Sequence, residues 1–369
     1  MLVKNGASRG RKQALCKACF SHVSLRYGTA YFGLESDISP FETAVRALAE
    51  GNSIRATARI LQIDKDTVCR WLNRASQHCR LVMLFLWQQL HVIECQLDEL
   101  WSFVHTKERN LSTAKLLCED YGDAWVWIAF APQWRLILAF VVGKRNQESA
   151  NRLLQRVDHV TDTTIPFFTS DQLPEYRTAL LDVYGQWHQP KRQGNVGRFP
   201  KPRLIPREEL LYAQVVKHRK KGRVVKVSNN IVFGQPQQIA NQLEVSPVSH
   251  VINTSFVERD NLSLRMSNRR LTRRTNAFTK EMPWLEKQLW LSLAYYHLVL
   301  PHLSLRQQLE PLIAAGNSSY KRRWHEVTPA IAAGMTNHIW STEELLSYRI
   351  PVRFFERLPE IEVVFPPLD

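Results

Sequence analysis

Residues 91–104, HVIECQLDELWSFV, constrain this chain more than any other stretch. Val92, Ile93, Trp101, Phe103 and Val104 are β-branched or aromatic. With Cys95, Leu97 and Leu100 they spell a mostly buried strand and not a helix. Asp98 lies in the middle of it. A carboxylate there needs a partner or a solvated edge position, because an isolated charge is expelled from an apolar interior. Partners must come from elsewhere in the chain.

Two more strands are expected close behind, at 124–131 and 135–142, joined by the tight Pro132-Gln133-Trp134 turn. Neighbours this close in sequence pair antiparallel. Residues 147–160, with Leu153, Leu154 and Val157 at helical spacing, predict a helix. The run IPFFT at 165–169 predicts a strand that stops at Ser170-Asp171, 174–184 a second amphipathic helix, and 186–189 a short fifth strand. This order predicts an α/β fold, a mixed sheet flanked by helices, whose parallel members are joined by crossover helices. Polar sites in such sheets gather beyond the strand ends, so Asp171 is placed like a site residue, on a strand adjacent to that of Asp98.

A chain of 369 residues with 44% apolar content has material for two or three domains. The net charge of +15 points to a polyanionic partner, and its distribution is uneven. Residues 1–80 hold 13 Lys and Arg against 6 Asp and Glu, and residues 189–280 hold 19 against 5. Between them, residues 81–188 are acidic, 9 against 13. The first 13 residues contain no signal-like apolar core. The most apolar stretch, 289–305, is broken by Ser292, His297, Pro301 and His302, which predicts a buried helix ending near Pro301 in preference to a membrane span. Six unevenly spaced cysteines fit a reducing compartment, so the expected location is the cytoplasm.

Cys16-Lys-Ala-Cys19 has the spacing of half a tetrahedral zinc site, with His22 the nearest third ligand and the other Cys pair missing. A start codon further upstream, or a truncated gene, would account for the loss. Residues 41–76 predict three short helices, at 41–49, 53–61 and 65–75, the last two crossing as a helix-turn-helix. Asn52-Ser53 offers the cap, and Ala58, Ile60, Leu61, Ile63, Val68, Trp71 and Leu72 fall where crossing helices bury them. The outer face of the third helix then carries Lys65, Asp66, Thr67, Arg70, Asn73 and Arg74. Arg and Asn suit base edges, while Lys and Thr suit phosphates. Residues 79–90 predict a separate apolar helical connector.

Residues 191–253 interrupt the sheet pattern and read as an insertion, with 222–234 alternating like a hairpin across Asn229-Asn230. Lys217, Arg219, Lys220, Lys221, Arg223 and Lys226 make it a candidate for DNA backbone contact. From Thr254 or Ser255 a capped helix is expected, with Glu258, Asn261 or Leu262, Arg265, Arg269 and Thr272 at three to four residue spacing. The predicted domains are therefore a partial ribbon (1–38), a helix-turn-helix (39–80), a core with insertion (81–300) and a tail of unassigned role (301–369).

Taken together, these segments resemble bacterial transposases of the insertion sequence one group, a branch of the DDE transposases with an RNase H-like catalytic core. The resemblance spans most of residues 10–300. It is carried by QLDELW at 96–101, SDQLPEY at 170–176, and VERDNLSLR at 257–265 followed by Phe278-Thr-Lys. It implies Asp98, Asp171 and Glu258 as the three catalytic carboxylates, and Arg265 as the basic residue two helical turns beyond the Glu. The ribbon and helix-turn-helix match the end-binding region.

Unit charges ~4 Å apart repel by ~4 kcal/mol at an effective dielectric near ~20, so three converging carboxylates require cations. The resemblance implies two Mg²⁺ (or Mn²⁺) ions held by Asp98, Asp171 and Glu258, and Zn²⁺ on Cys16 and Cys19 only if the ribbon is completed. The implied partners are duplex DNA, as element ends and target, and further copies of the chain on that DNA, at the nucleoid. Two alternatives stay open: a DNA-binding regulator that has lost activity, and a nuclease of the same fold.

Overall fold

The computed structural model describes residues 2–8, 11–112, 121–192, 199–314 and 321–368. Three short strands, β1 (Leu2–Ser8), β2 (Arg11–Cys16) and β3 (His22–Ser24), form a small antiparallel sheet. Helices α1 (Ile38–Ala49), α2 (Ile54–Leu61) and α3 (Lys65–Leu86) follow. Ser53 caps α2 by accepting the Ala56 amide at 3.2 Å, and Asp64 caps α3 by accepting the Asp66 amide at 2.7 Å. Between them Gln62 takes the left-handed conformation, φ 55°, that tightens the turn. Ala58, Val68, Trp71 and Leu72 are buried as their spacing predicts, but Ile60 is 64% exposed. The expected break after residue 75 does not occur. Helix α3 runs 22 residues because its buried positions, Val68, Leu72, Ala75, Cys79 and Val82, repeat at three to four residue spacing with no Gly or Pro to stop it.

Strands β4 (Glu94–Val104), β5 (Gly122–Ala131) and β6 (Leu136–Gly143) come next, then α4 (Gln147–Val160), β7 (Phe167–Ser170) and α5 (Pro174–Tyr184). Beyond them lie β8 (Gly185–His188), β9 (Arg203–Pro206), β10 (Tyr212–Lys220), β11 (Arg223–Phe233) and α6 (Pro236–Val245). The central sheet has the order β11-β10-β7-β4-β5-β6. Strand β7 runs parallel to both β4 and β10, and the other pairings are antiparallel.

Two sequence expectations are corrected here. Residues 186–189 do extend, as β8, but pair with β9 in a separate two-stranded sheet. The place beside β7 belongs to β10, so part of the 191–253 stretch is sheet and not insertion. Its hairpin turns at Lys221-Gly222, with φ of 50° and 79°, the left-handed pair that matches strand twist in a two-residue loop. Asn229 and Asn230 lie inside β11, opposite Val215 and Gln214. Tyr212, Ala213 and Val215 are buried, and that apolar start is what holds β10 in the sheet.

The chain continues through α7 (Ser255–Ser267), α8 (Met282–Leu298), β12 (Gln307–Ala314), β13 (Lys321–His325), α9 (Pro329–Ala332), α10 (Thr342–Ser347) and α11 (Val352–Val364). Helix α8 covers the start of the 289–305 stretch expected to form a buried helix, and is wedged between α3 and the sheet. His297 Nε2 accepts the Ile137 amide at 3.0 Å, and Gln288 donates to the Leu48 carbonyl at 3.1 Å. The C-terminal residues fold back onto α3. His78 Nε2 meets the Leu345 carbonyl at 3.0 Å, and Arg80 pairs with Glu362 at 3.2 Å. No helix among the described residues is long and apolar enough to cross a membrane.

Candidate functional site

Alternation along β4 puts Glu94, Gln96 and Asp98 on one face of the sheet and Glu99 on the other. The parallel register pairs Glu94 with Phe167, Cys95 with Phe168 and Gln96 with Thr169. Two steps further along, Asp98 comes level with Asp171, just past the end of β7. The adjacency expected from strand order is thus present.

Helix α7 lies across the Asp98 face. Gln96 Oε1 accepts the Val257 amide at 3.0 Å, and Asp98 Oδ2 accepts from Asn261 Nδ2 at 2.6 Å. Four residues of helix rise ~6 Å and two of strand ~6.7 Å, so successive contacts stay in step. The Glu99 amide donates to Asp98 Oδ1 at 2.9 Å. Burial pushes the Asp98 carboxyl up to about 7, and the charges of Glu99, Asp171 and Glu258 push the same way against that amide.

Glu99 points at the opposite helix layer. It accepts from Arg145 Nε at 3.1 Å and from the Tyr176 hydroxyl at 3.2 Å, and its side chain is 3% exposed. Burial and then Asp171 raise its carboxyl, with Arg145 opposing. Glu99, Arg145 and Tyr176 were not singled out by the sequence. Alternation could have flagged Glu99 as a second buried acid, but nothing local links it to residues 46 and 77 positions away.

Glu258 is close enough to act on Asp98 electrostatically, but its Oε1 is turned to the Thr254 hydroxyl at 2.6 Å and to the Lys217 ammonium from β10. Asp171 Oδ1 accepts the Leu173 amide at 3.1 Å. Among the described residues no group of three His, Cys, Asp or Glu side chains gathers closely enough to hold a metal ion. The donor set nevertheless suits a divalent cation at Asp98 and Asp171, where a buried acid is forced against other acids. In the ribbon, backbone amides of Cys19 and Ala18 hold the Cys16 thiol down at about 7, His22 Nδ1 meets Asn5 at 2.9 Å, and the Cys19 thiol donates to the Ser21 hydroxyl at 3.3 Å.

The basic residues divide. Arg265, expected at phosphate, is half-buried and donates to the Leu271 carbonyl at 2.5 Å and the Trp101 carbonyl at 3.2 Å, pinning α7 to β4. Arg74, expected at base edges, donates to the Phe32 carbonyl and, at 3.3 Å, to that of Gly33. In both cases a guanidinium near backbone carbonyls donates to them. Asn73 is half-buried. Arg70 is exposed and donates to the Thr67 hydroxyl at 3.0 Å, while exposed Lys65 pairs with Asp66 at 3.0 Å. Lys220, Lys221 and Arg269 are exposed, the first two at the tip of the β10–β11 hairpin.

Residues 43–78 match the winged helix-turn-helix family. The match begins inside α1, takes in α2, and ends part-way along α3. Such a domain implies DNA binding, and the exposed Lys65 and Arg70, with half-buried Thr67 between them, lie on its third helix. After α3 the chain passes directly into β4 of the central sheet. No curated protein matches the chain.

Proposed function

We propose that the chain is a DDE-type transposase, which binds the ends of an insertion sequence through its helix-turn-helix and cuts and joins DNA strands at Asp98, Asp171 and Glu258. One observation carries the reading. Asp98 on β4 comes level with Asp171, just past the end of the adjacent parallel strand β7, beneath a helix whose Glu258 reaches Asp98 electrostatically. The element order and mixed sheet support an RNase H-like core. In the proposed reaction a water or a freed DNA 3′-hydroxyl attacks a phosphodiester. A new oxygen–phosphorus bond forms as the attacking oxygen gives up its proton to solvent, the bond to the leaving strand's oxygen breaks, and that oxygen takes up a proton from solvent.

Asp98 and Asp171 would hold a divalent ion, Mg²⁺ or Mn²⁺, which when bound supplies Lewis-acid stabilisation of the attacking and leaving oxygens. Asn261 fixes the Asp98 carboxylate through its 2.6 Å hydrogen bond. Lys217 neutralises Glu258 and must yield if Glu258 is to join the pair. That contact favours a second reading, a DNA-binding regulator whose acidic centre no longer turns over. A duplex carrying the DNA that flanks the gene on either side, incubated with Mg²⁺, separates these readings. Specific nicking and joining by the wild type, lost in Asp98→Asn with end binding retained, is the expected result. Cleavage by Asp98→Asn at the wild-type rate removes the assignment; binding without cleavage by the wild type leaves the regulator, and cut but unjoined ends leave a nuclease.

A further inference from the structure

A second basic feature lies apart from the carboxylates. Between α2–α3 and the segment linking α7 to α8 there is an open cleft of about 990 Å³. One wall carries Arg55, Arg59 and Lys65, and the other Arg269, Arg270 and Lys280. Two acids face these six cations, and one of them, Asp66, is already paired with Lys65 at 3.0 Å.

Arg270 is the informative residue. It is half-buried, and among the described residues its guanidinium has no hydrogen bond or carboxylate; its backbone alone is engaged, with Asn268 and Ser102. Burial draws its pKa down to about 10, opposed by the nearby Cys69 thiol. A partly desolvated guanidinium without a partner is costly unless an anion completes it. Asn52, Ser53, Thr275 and Asn276 add uncharged donors along the same cleft.

The walls are fixed to one another. Gly51, at φ 86° in the turn between α1 and α2, packs so closely on the end of α7 that a Cβ would stand 2.8 Å from the Ser267 carbonyl oxygen. The Tyr295 hydroxyl of α8 donates to Glu50 at 3.1 Å. The cleft is therefore preformed, and one of its walls begins where α7, the helix that holds Asp98, ends.

We propose that this cleft seats the phosphate backbone of duplex DNA. Resting on the DNA-binding reading above, it extends that reading: one strand is held from both sides, by the helix-turn-helix and by the α7–α8 linker, at a set distance from the carboxylates. A lone helix-turn-helix would leave the linker's charges idle.

The test uses the full chain and a fluorescein-labelled 30-base-pair duplex of random sequence, titrated by anisotropy over a NaCl series. Arg270→Ala and Lys280→Ala should each make the slope of log affinity against log salt shallower by about 0.9, and weaken binding several-fold at about 0.1 M salt. Arg353→Ala, on exposed α11, should leave the slope unchanged. Lys280 is exposed, so its variant carries the test if Arg270→Ala fails to fold. Wild-type binding with unaltered slope and affinity in the folded cleft variants overturns the cleft and leaves DNA binding standing. No wild-type binding overturns both.

Discussion

Replacing Asp98 with Asn should stabilise the metal-free protein, and do so in a pH-dependent way. The Asp98 carboxyl rises from an ordinary 3.8 to about 7, through burial first and neighbouring carboxylates next. That rise corresponds to about 4 kcal/mol at full strength, or about 2 kcal/mol for a half-buried group that water partly reaches. Below pH 3.8 the acid is protonated in both the folded and unfolded chain and costs nothing extra. Between pH 4 and 7 the unfolded chain ionises while the folded one resists, so wild-type stability falls as pH rises. Above about 7 both are ionised and the loss is complete.

An amide removes that loss without removing the contacts. Its oxygen can still accept the Glu99 amide, and its nitrogen can donate to Asn261 Oδ1, which is buried without a partner. Urea unfolding in EDTA at pH 4.5, 6, 7 and 8.5 should show the variant gaining on the wild type up to pH 7, then holding a constant advantage of about 2 kcal/mol. Added Mg²⁺ should stabilise the wild type more than the variant if the carboxylates bind it. A pH-independent difference, or a variant less stable at pH 8.5 than the wild type, would refute the placement of Asp98 among buried acids.

Arg265→Ala should cost about 2–3 kcal/mol of stability by orphaning the Leu271 and Trp101 carbonyls, while the salt dependence of DNA binding stays as it was. A slope shallower by about 1 would instead return Arg265 to the phosphates. Gly51→Ala should lower the melting temperature, costing about 2–3 kcal/mol through its left-handed φ of 86° and the Ser267 contact; an unchanged melt would mean the turn relaxes freely.

Much of this protein could be read locally. The bounds of α4 and α5 agree with their apolar spacing to the residue, and Ser53 caps α2 as its place before a periodic run suggests. The strand around Asp98, the position of Asp171 just past β7, and the helix carrying Glu258 were likewise legible. Each rests on an interaction spanning a few residues: period two, period three to four, a cap, a stop. The basic residues were legible as charges but not as contacts. Arg70 and Arg74 lie four apart on one helix, and only the carbonyls of residues 32 and 33 decide that Arg74 turns inward.

Tertiary structure alone decided the rest. Whether β8 or β10 lies beside β7 depends on which strand buries more apolar surface against neighbours 44 residues distant, and Tyr212, Ala213 and Val215 win that place. Lys217 meets Glu258, and Arg145 meets Glu99, only because the sheet brings separate segments to the same edge. Sequence thus fixes which chemical groups exist and how each is spaced along its own element. Which group neutralises which follows from the packing of distant surfaces, whose energies no short window of residues contains.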